Sequence, residues 1–212
     1  MLPTTHLLAF TITALVLIAI PGPSVLFTVS RAIALGRVAG VATVAGNTAG
    51  AFTQVVLVAF GLGPLVERSV ALFTVLKLAG ACYLVFLGVQ AIRHRHSLAA
   101  ALGAQVERKT AVRLVVDGFT VGVTNPKVIV FFAAILPQFV DRQSGHVPLQ
   151  IIALGAIFAA LALISDSAWA LAAGTARAWL ARSPRRLALI GGTGGLAMIG
   201  IGARLAFTGR QN

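Results

Sequence analysis

Apolar residues gather in six runs, at roughly 7–29, 39–61, 70–92, 112–136, 149–173 and 187–207, with short polar stretches between them. Each run approaches the roughly 20 residues that a helix needs to cross a hydrocarbon core about 30 Å thick. None shows the ten-residue alternation of a membrane β-barrel strand. The pattern predicts an all-α integral membrane protein with six transmembrane helices. No Lys or Arg precedes Arg31, so the first run lacks the basic start of a cleaved signal and is read as a helix of the mature chain. The polar segment 93–110, RHRHSLAAALGAQVERKT, is too short to bury a core. It reads as a linker joining two three-helix halves, 1–92 and 111–212, within one membrane domain.

Composition agrees with this pattern. Of 212 residues, 58% are hydrophobic and 10% charged, and mean hydropathy is +0.95. A soluble domain has about 45–50% apolar and about 25% charged residues. The net charge of +12 would suggest a nucleic-acid partner in a soluble protein. Here the spans divide it by loop instead. If the N-terminus lies outside, Arg31, Arg37, Arg93, Arg95, Arg108, Lys109, Arg113, Arg177, Arg182, Arg185 and Arg186 fall on the cytoplasmic side. Arg68, Arg142, Arg204 and Arg210 fall outside. That asymmetry is the positive-inside signature. It predicts a multi-pass protein of a bacterial inner membrane with both termini outside, a lipid bilayer as surroundings and no nucleic-acid partner. The lone Cys82 cannot form an internal disulfide.

Two of the runs are interrupted. Pro21-Gly22-Pro23 lies in the first and Asn125-Pro126 in the fourth, with Pro23 and Pro126 separated by 103 residues. Gly80 and Gly88 in the third run have the same spacing as Gly194 and Gly202 in the sixth. An odd number of crossings inverts the second half, so matching breaks predict two inverted three-helix repeats with broken helices 1 and 4. Proline lacks an N–H and frees backbone groups in mid-helix. In hydrocarbon such groups survive only where protein or water satisfies them, so paired breaks point to a binding site. A plain proline kink is the simpler alternative.

Away from the ends of the runs, where Arg113 and Arg204 lie, charges are few: Lys77, Asp117, Lys127 and Asp166. Each costs roughly 2.5–3.5 kcal/mol at mid-bilayer on insertion scales and therefore needs a reason. Lys127 directly follows the Asn125-Pro126 break, too deep for easy snorkelling. Asp166 sits in LISDSAW and is a group able to exchange protons with the help of a lysine, either Lys77 or Lys127; a structural ion pair is the alternative. Asp117 reads as interfacial, beside Arg113. In the second run Asn47 and Gln54 are seven apart and share a helix face, either lining a polar path or bonding across helices. Gly46 and Gly50 form a GxxxG packing face, and such faces allow a homodimer without requiring one. His94 and His96 read as solvated. Nothing implies a cofactor, a metal or a catalytic nucleophile.

The blocks PGPSVLFTVSRAIALGRVAG at 21–40, LKLAGACYLVFLGVQ at 76–90 and NPKVIVFFAAILPQFV at 125–140 resemble the LysE/RhtB family of amino-acid exporters. The resemblance covers nearly the whole chain and leans towards the homoserine, homoserine-lactone and threonine efflux members. It implies export of small amino acids or derivatives across the inner membrane, driven by the proton-motive force. Pro21, Gly22 and Pro23 match the family's first signature, and Asn125, Pro126 and Lys127 its second. Lys77 and Asp166 match positions often charged in relatives. Ala51 and Gln54 stand where many members carry an acid or His, and Gly122 where an Asn is common.

The expectation is a secondary active exporter, probed by substrate and protons rather than an enzyme. Pro21, Gly22, Pro23, Asn47, Gln54, Asn125, Pro126 and Lys127 form its substrate site, with freed amides and Lys127 receiving a carboxylate. Asp166 carries the coupling proton or takes the amino group, and Lys77 tunes it. A non-transporting scaffold subunit is one alternative. An integral-membrane enzyme is a weaker one, because His6, His94, His96 and His146 all lie outside the runs.

Overall fold

A computed structural model describes residues 4–19, 22–62, 70–93, 109–141 and 144–175, together with helical residues 189, 192, 196, 199, 200, 203, 206 and 207. The helices are α1 (Thr4–Ala19), α2 (Pro23–Leu35), α3 (Arg37–Leu57), α4 (Val70–Arg93), α5 (Ala111–Val123), α6 (Pro126–Val130) and α7 (Val147–Thr175). There is no strand among the described residues. α3 runs on through a π turn at Val58–Leu62, and α6 through a π turn at Phe131–Ile135 and a 3-10 turn at Leu136–Phe139.

Proline sets the starts. Pro23 and Pro126 each occupy the first turn of their helix, where a missing N–H costs nothing and the fixed φ suits the helix. Gly36, at φ 96°, makes the tight reversal from α2 to α3 in a region closed to most side chains. Thr110 caps α5 by accepting from the Arg113 amide at 3.3 Å.

Among the described residues two helices are long and apolar enough to cross a membrane unaided, Arg37–Gly61 and Val147–Thr175. Two bent pairs reach that length together: α1 with α2, at 52°, and α5 with Pro126–Phe139, at 44°. The 24 residues of α4 extend about 36 Å at 1.5 Å per residue. The runs expected to be broken are therefore the bent ones. Most of the run 187–207 and of the linker 93–110 lies outside the described residues, as do Pro21, Gly194, Gly202 and the side chain of Lys77.

Small residues govern the packing. A Cβ on Gly46 would collide with the Val115 carbonyl, and one on Gly50 with the Phe119 carbonyl. Facing them, Gly118 lies against the Thr43 carbonyl and Gly122 against the Asn47 carbonyl. Two GxxxG faces thus press α3 and α5 backbone to backbone. The Gly46/Gly50 face is used within the chain and leaves no dimer surface there. On its other side α3 meets α7, with Ala32, Val44 and Ala170 in one small cluster. Leu8, Ile12, Leu57, Phe60, Val112, Leu149 and Ile164 point outward. An apolar exterior around buried polar groups is the arrangement a bilayer demands.

Candidate functional site

The two helix breaks meet inside the protein. Asn125, at the start of α6, donates from Nδ2 to Ser24 Oγ at the start of α2, 2.9 Å away. Its Oδ1 accepts from the Lys127 amide at 3.1 Å, capping α6. Gly22 caps α2 without a side chain. A Cβ there would stand 3.1 Å from Lys127 Cδ, so glycine leaves the path along which the Lys127 side chain passes.

Lys127 is buried, and its Nζ donates to the Leu17 carbonyl at 2.7 Å. That carbonyl's regular helical donor would be the residue four further on, which is Pro21 and has no N–H. The ammonium supplies the missing donor and adds a positive charge to the negative end of α1. The second break is treated in the same way. Gln54 Nε2 donates to the carbonyls of Gly122 at 2.9 Å and Val123 at 2.8 Å. Gly122 lies four residues before Pro126 and also accepts from the Asn125 amide at 3.3 Å, while the amide that Val123 would use, that of Lys127, is already bound to the Asn125 side chain. Of the two readings open for Gln54, the structure displays bonding across helices.

Asp166, in the middle of α7, is 4% exposed. Asn47 of α3, 6% exposed, donates from Nδ2 to Asp166 Oδ2 at 3.4 Å. Asn47 Oδ1 and Asp166 Oδ1 have no hydrogen-bond partner among the described residues. Lys127 and Asp166 lie near enough for their charges to act on each other. The structure thus gathers Gly22, Pro23, Asn47, Asn125, Pro126, Lys127 and Asp166 around the two breaks, with Gln54 holding the second. Pro21 and the Lys77 side chain lie outside the described residues.

Layers of different chemistry lie to either side of this centre. At one end Phe131 and Phe132 pack on Phe158, with ring centroids 5.1 and 4.9 Å apart, and Phe10 lies 5.9 Å from Phe131. At the other, Asp117 holds Arg113 at 3.4 Å, Arg31 at 3.6 Å and Lys109. Arg31 also stacks on Phe27 at 4.7 Å. Three features of this arrangement escaped the sequence reading. Ser24 gives no signal beyond its place beside Pro23. The Arg31–Asp117 contact joins distant segments. Gly118 and Gly122, however, repeat the GxxxG spacing openly.

Broken apolar helices converging on buried charges define a membrane transport protein. The chain belongs to the LysE type translocator family, whose model matches residues 15–209. It is 34% identical to the homoserine/homoserine lactone efflux protein of Salmonella typhimurium (strain LT2) over 198 residues, covering 93% of this chain and 94% of that one. Identity to the threonine efflux protein of the same strain is 28%, covering 66% and 69%. To the leucine efflux protein of Enterobacter sp. (strain 638) it is 26%, covering 93% of each. No solved structure matches.

Proposed function

We propose that the protein is a proton-coupled secondary exporter of small amino acids or their derivatives, of the threonine, homoserine and homoserine-lactone kind. It stands in a bacterial inner membrane as six spans in two inverted three-helix repeats, 1–92 and 111–212, with both termini outside. The observation that carries this reading is the burial of Lys127 and Asp166 where two broken helices meet. A scaffold subunit has no need of such groups, whose insertion costs several kcal/mol in total. Cross-packing of the halves supports the repeat: the second span lies on the fourth, and the fifth on the first.

In this reading the substrate sits between the breaks. Its carboxylate draws Lys127 away from the Leu17 carbonyl and faces the N-terminus of α2, whose dipole favours an anion. Asp166 carries the coupling proton. The phenylalanine layer closes the outer side and the Asp117 cluster the cytoplasmic side, and the two open in turn.

The test is counterflow in proteoliposomes with a panel of amino acids and lactones, repeated under an imposed pH gradient. Wild-type protein is expected to accumulate at least one panel member in response to the gradient. Asp166→Asn is expected to abolish that response; full gradient-driven transport by this variant refutes the coupling role.

A further inference from the structure

The Asn47–Asp166 pair has a property that its place near the breaks does not explain. Its single internal hydrogen bond engages Asn47 Nδ2 and Asp166 Oδ2, and this leaves two acceptors of the pair, Asn47 Oδ1 and Asp166 Oδ1, buried and unpartnered. One of them belongs to a group that is anionic when deprotonated. Leaving a buried acceptor unmade costs about as much as a lost hydrogen bond, and more when it is charged. Asn125 Nδ2 bonds Ser24, Gln54 Nε2 two carbonyls and Lys127 Nζ Leu17, and none of the three bonds either free oxygen. The two free oxygens suit a donor brought from outside, compact enough to meet both and positively charged to match the carboxylate.

We infer that Asn47 Oδ1 and Asp166 Oδ1 form the seat for a primary ammonium group, and that this group defines the ligands the protein accepts. The inference rests on the exporter reading and deepens it. A protonated amine places one N–H on each oxygen, the Asp166 bond being charge-assisted. Because the Asn47 amide nitrogen is held by its own bond to Asp166, its carbonyl oxygen is left free for the ligand. The seat also gives a direct reason for exchange. Asp166 Oδ1 holds either a proton or the ammonium, so the substrate's arrival and the proton's departure occur at one atom. Among the described residues, Lys127, on α6, is the charged side chain close enough to act on it. An acylated amine, neutral and with one N–H, cannot fill the seat.

The experiment uses detergent-purified full-length protein and calorimetric titration with alanine, threonine, homoserine and leucine, each against its N-acetyl derivative and its amino alcohol. The amino alcohol keeps the ammonium and lacks the carboxylate. For at least one amino acid, acetylation is expected to weaken binding roughly 100-fold, the size of loss seen when a site built for a charged hydrogen bond meets a ligand without it. The matching amino alcohol is expected to retain measurable binding. Asn47→Leu should weaken that amino acid and its amino alcohol by the same factor, roughly tenfold. If Asn47→Leu does not yield folded protein, Asn47→Ser removes the same oxygen with less change in polarity. Equal binding of acetylated and free amines overturns the seat, as does unchanged binding by a folded Asn47 variant or the absence of binding throughout. The same panel in vesicles separates the two claims. Transport without discrimination at the amine sinks the seat and keeps the exporter, and discrimination in binding without transport does the reverse.

Discussion

At the scale of single residues, Lys127 does two tasks that pull against each other. It caps Leu17, and it offsets the charge of Asp166. Lys127→Met removes both, leaving a carbonyl without its donor and a buried carboxylate without its counter-charge. Leaving a buried acceptor without its donor costs about 1–3 kcal/mol, more where a charge is concerned, and neutralising Asp166 removes the charged part of that cost. Melting curves in detergent should therefore show Lys127→Met strongly destabilised and Lys127→Met/Asp166→Asn partly recovered. A double variant as unstable as the sum of the two single changes contradicts the pairing. That Lys127 and Asp166 needed explanation was legible in the sequence, because a charge in an apolar run has few excuses. Which groups they meet was not. The Lys127–Leu17 bond spans 110 positions and the Asn47–Asp166 bond 119, and no local rule reaches that far.

At the scale of elements, the breaks in α1–α2 and α5–α6 follow from proline chemistry, and their positions could be read directly. Proline's missing N–H also marks which carbonyl loses its regular donor, the one four residues back: Leu17 for Pro21 and Gly122 for Pro126, the latter keeping a 3.3 Å bond from the Asn125 amide. The demand is thus written in the sequence, and the supplier is settled by packing. The α3–α5 glycine contact brings Gln54 to the second break. Gln54→Leu should cost about 1–3 kcal/mol, because Val123 loses its donor and Gly122 keeps only the bond from the Asn125 amide. Pro126→Ala restores an amide at the position that Gly122 would use, so the double variant should be less destabilised than Gln54→Leu alone. Thermal unfolding of the four proteins in this cycle decides it, and strict additivity is the outcome that removes the stand-in role of Gln54. Gly118→Leu tests the contact that delivers it. A side chain there must displace the Thr43 backbone, and overpacking of this kind costs about 1–3 kcal/mol or more. The expected readout is loss of folded protein on size exclusion, while Gly61→Leu, in open space, leaves the yield unchanged.

At the scale of the whole molecule, hydropathy and charge place the chain in a membrane but say less about its path through it. The bent pair α5–α6 has the length of one crossing, and a 44° bend at four residues or fewer also suits a re-entrant loop. Orientation rests on the arginine and lysine asymmetry between loops, a statistical preference of insertion and not a property of the folded interior. One labelling experiment addresses both points. Cys82 is the single native cysteine and its side chain is exposed, so it is first replaced by alanine. New cysteines are then placed one at a time at Ser97, in the expected cytoplasmic linker, and at Ser144, beyond α6 and exposed. Intact cells treated with a membrane-impermeant maleimide should label the Ser144→Cys protein and spare Ser97→Cys, which reacts only after permeabilisation. The reverse pattern inverts the molecule and puts the basic loops outside, against the charge argument. Labelling of both from the same side means that α5–α6 enters and leaves by one face. That result would end the inverted-repeat reading, since the second half would then lack its odd number of crossings. It would leave the meeting of Ser24, Asn125 and Lys127 intact, because those contacts lie within the fold and do not depend on where the bilayer's faces fall.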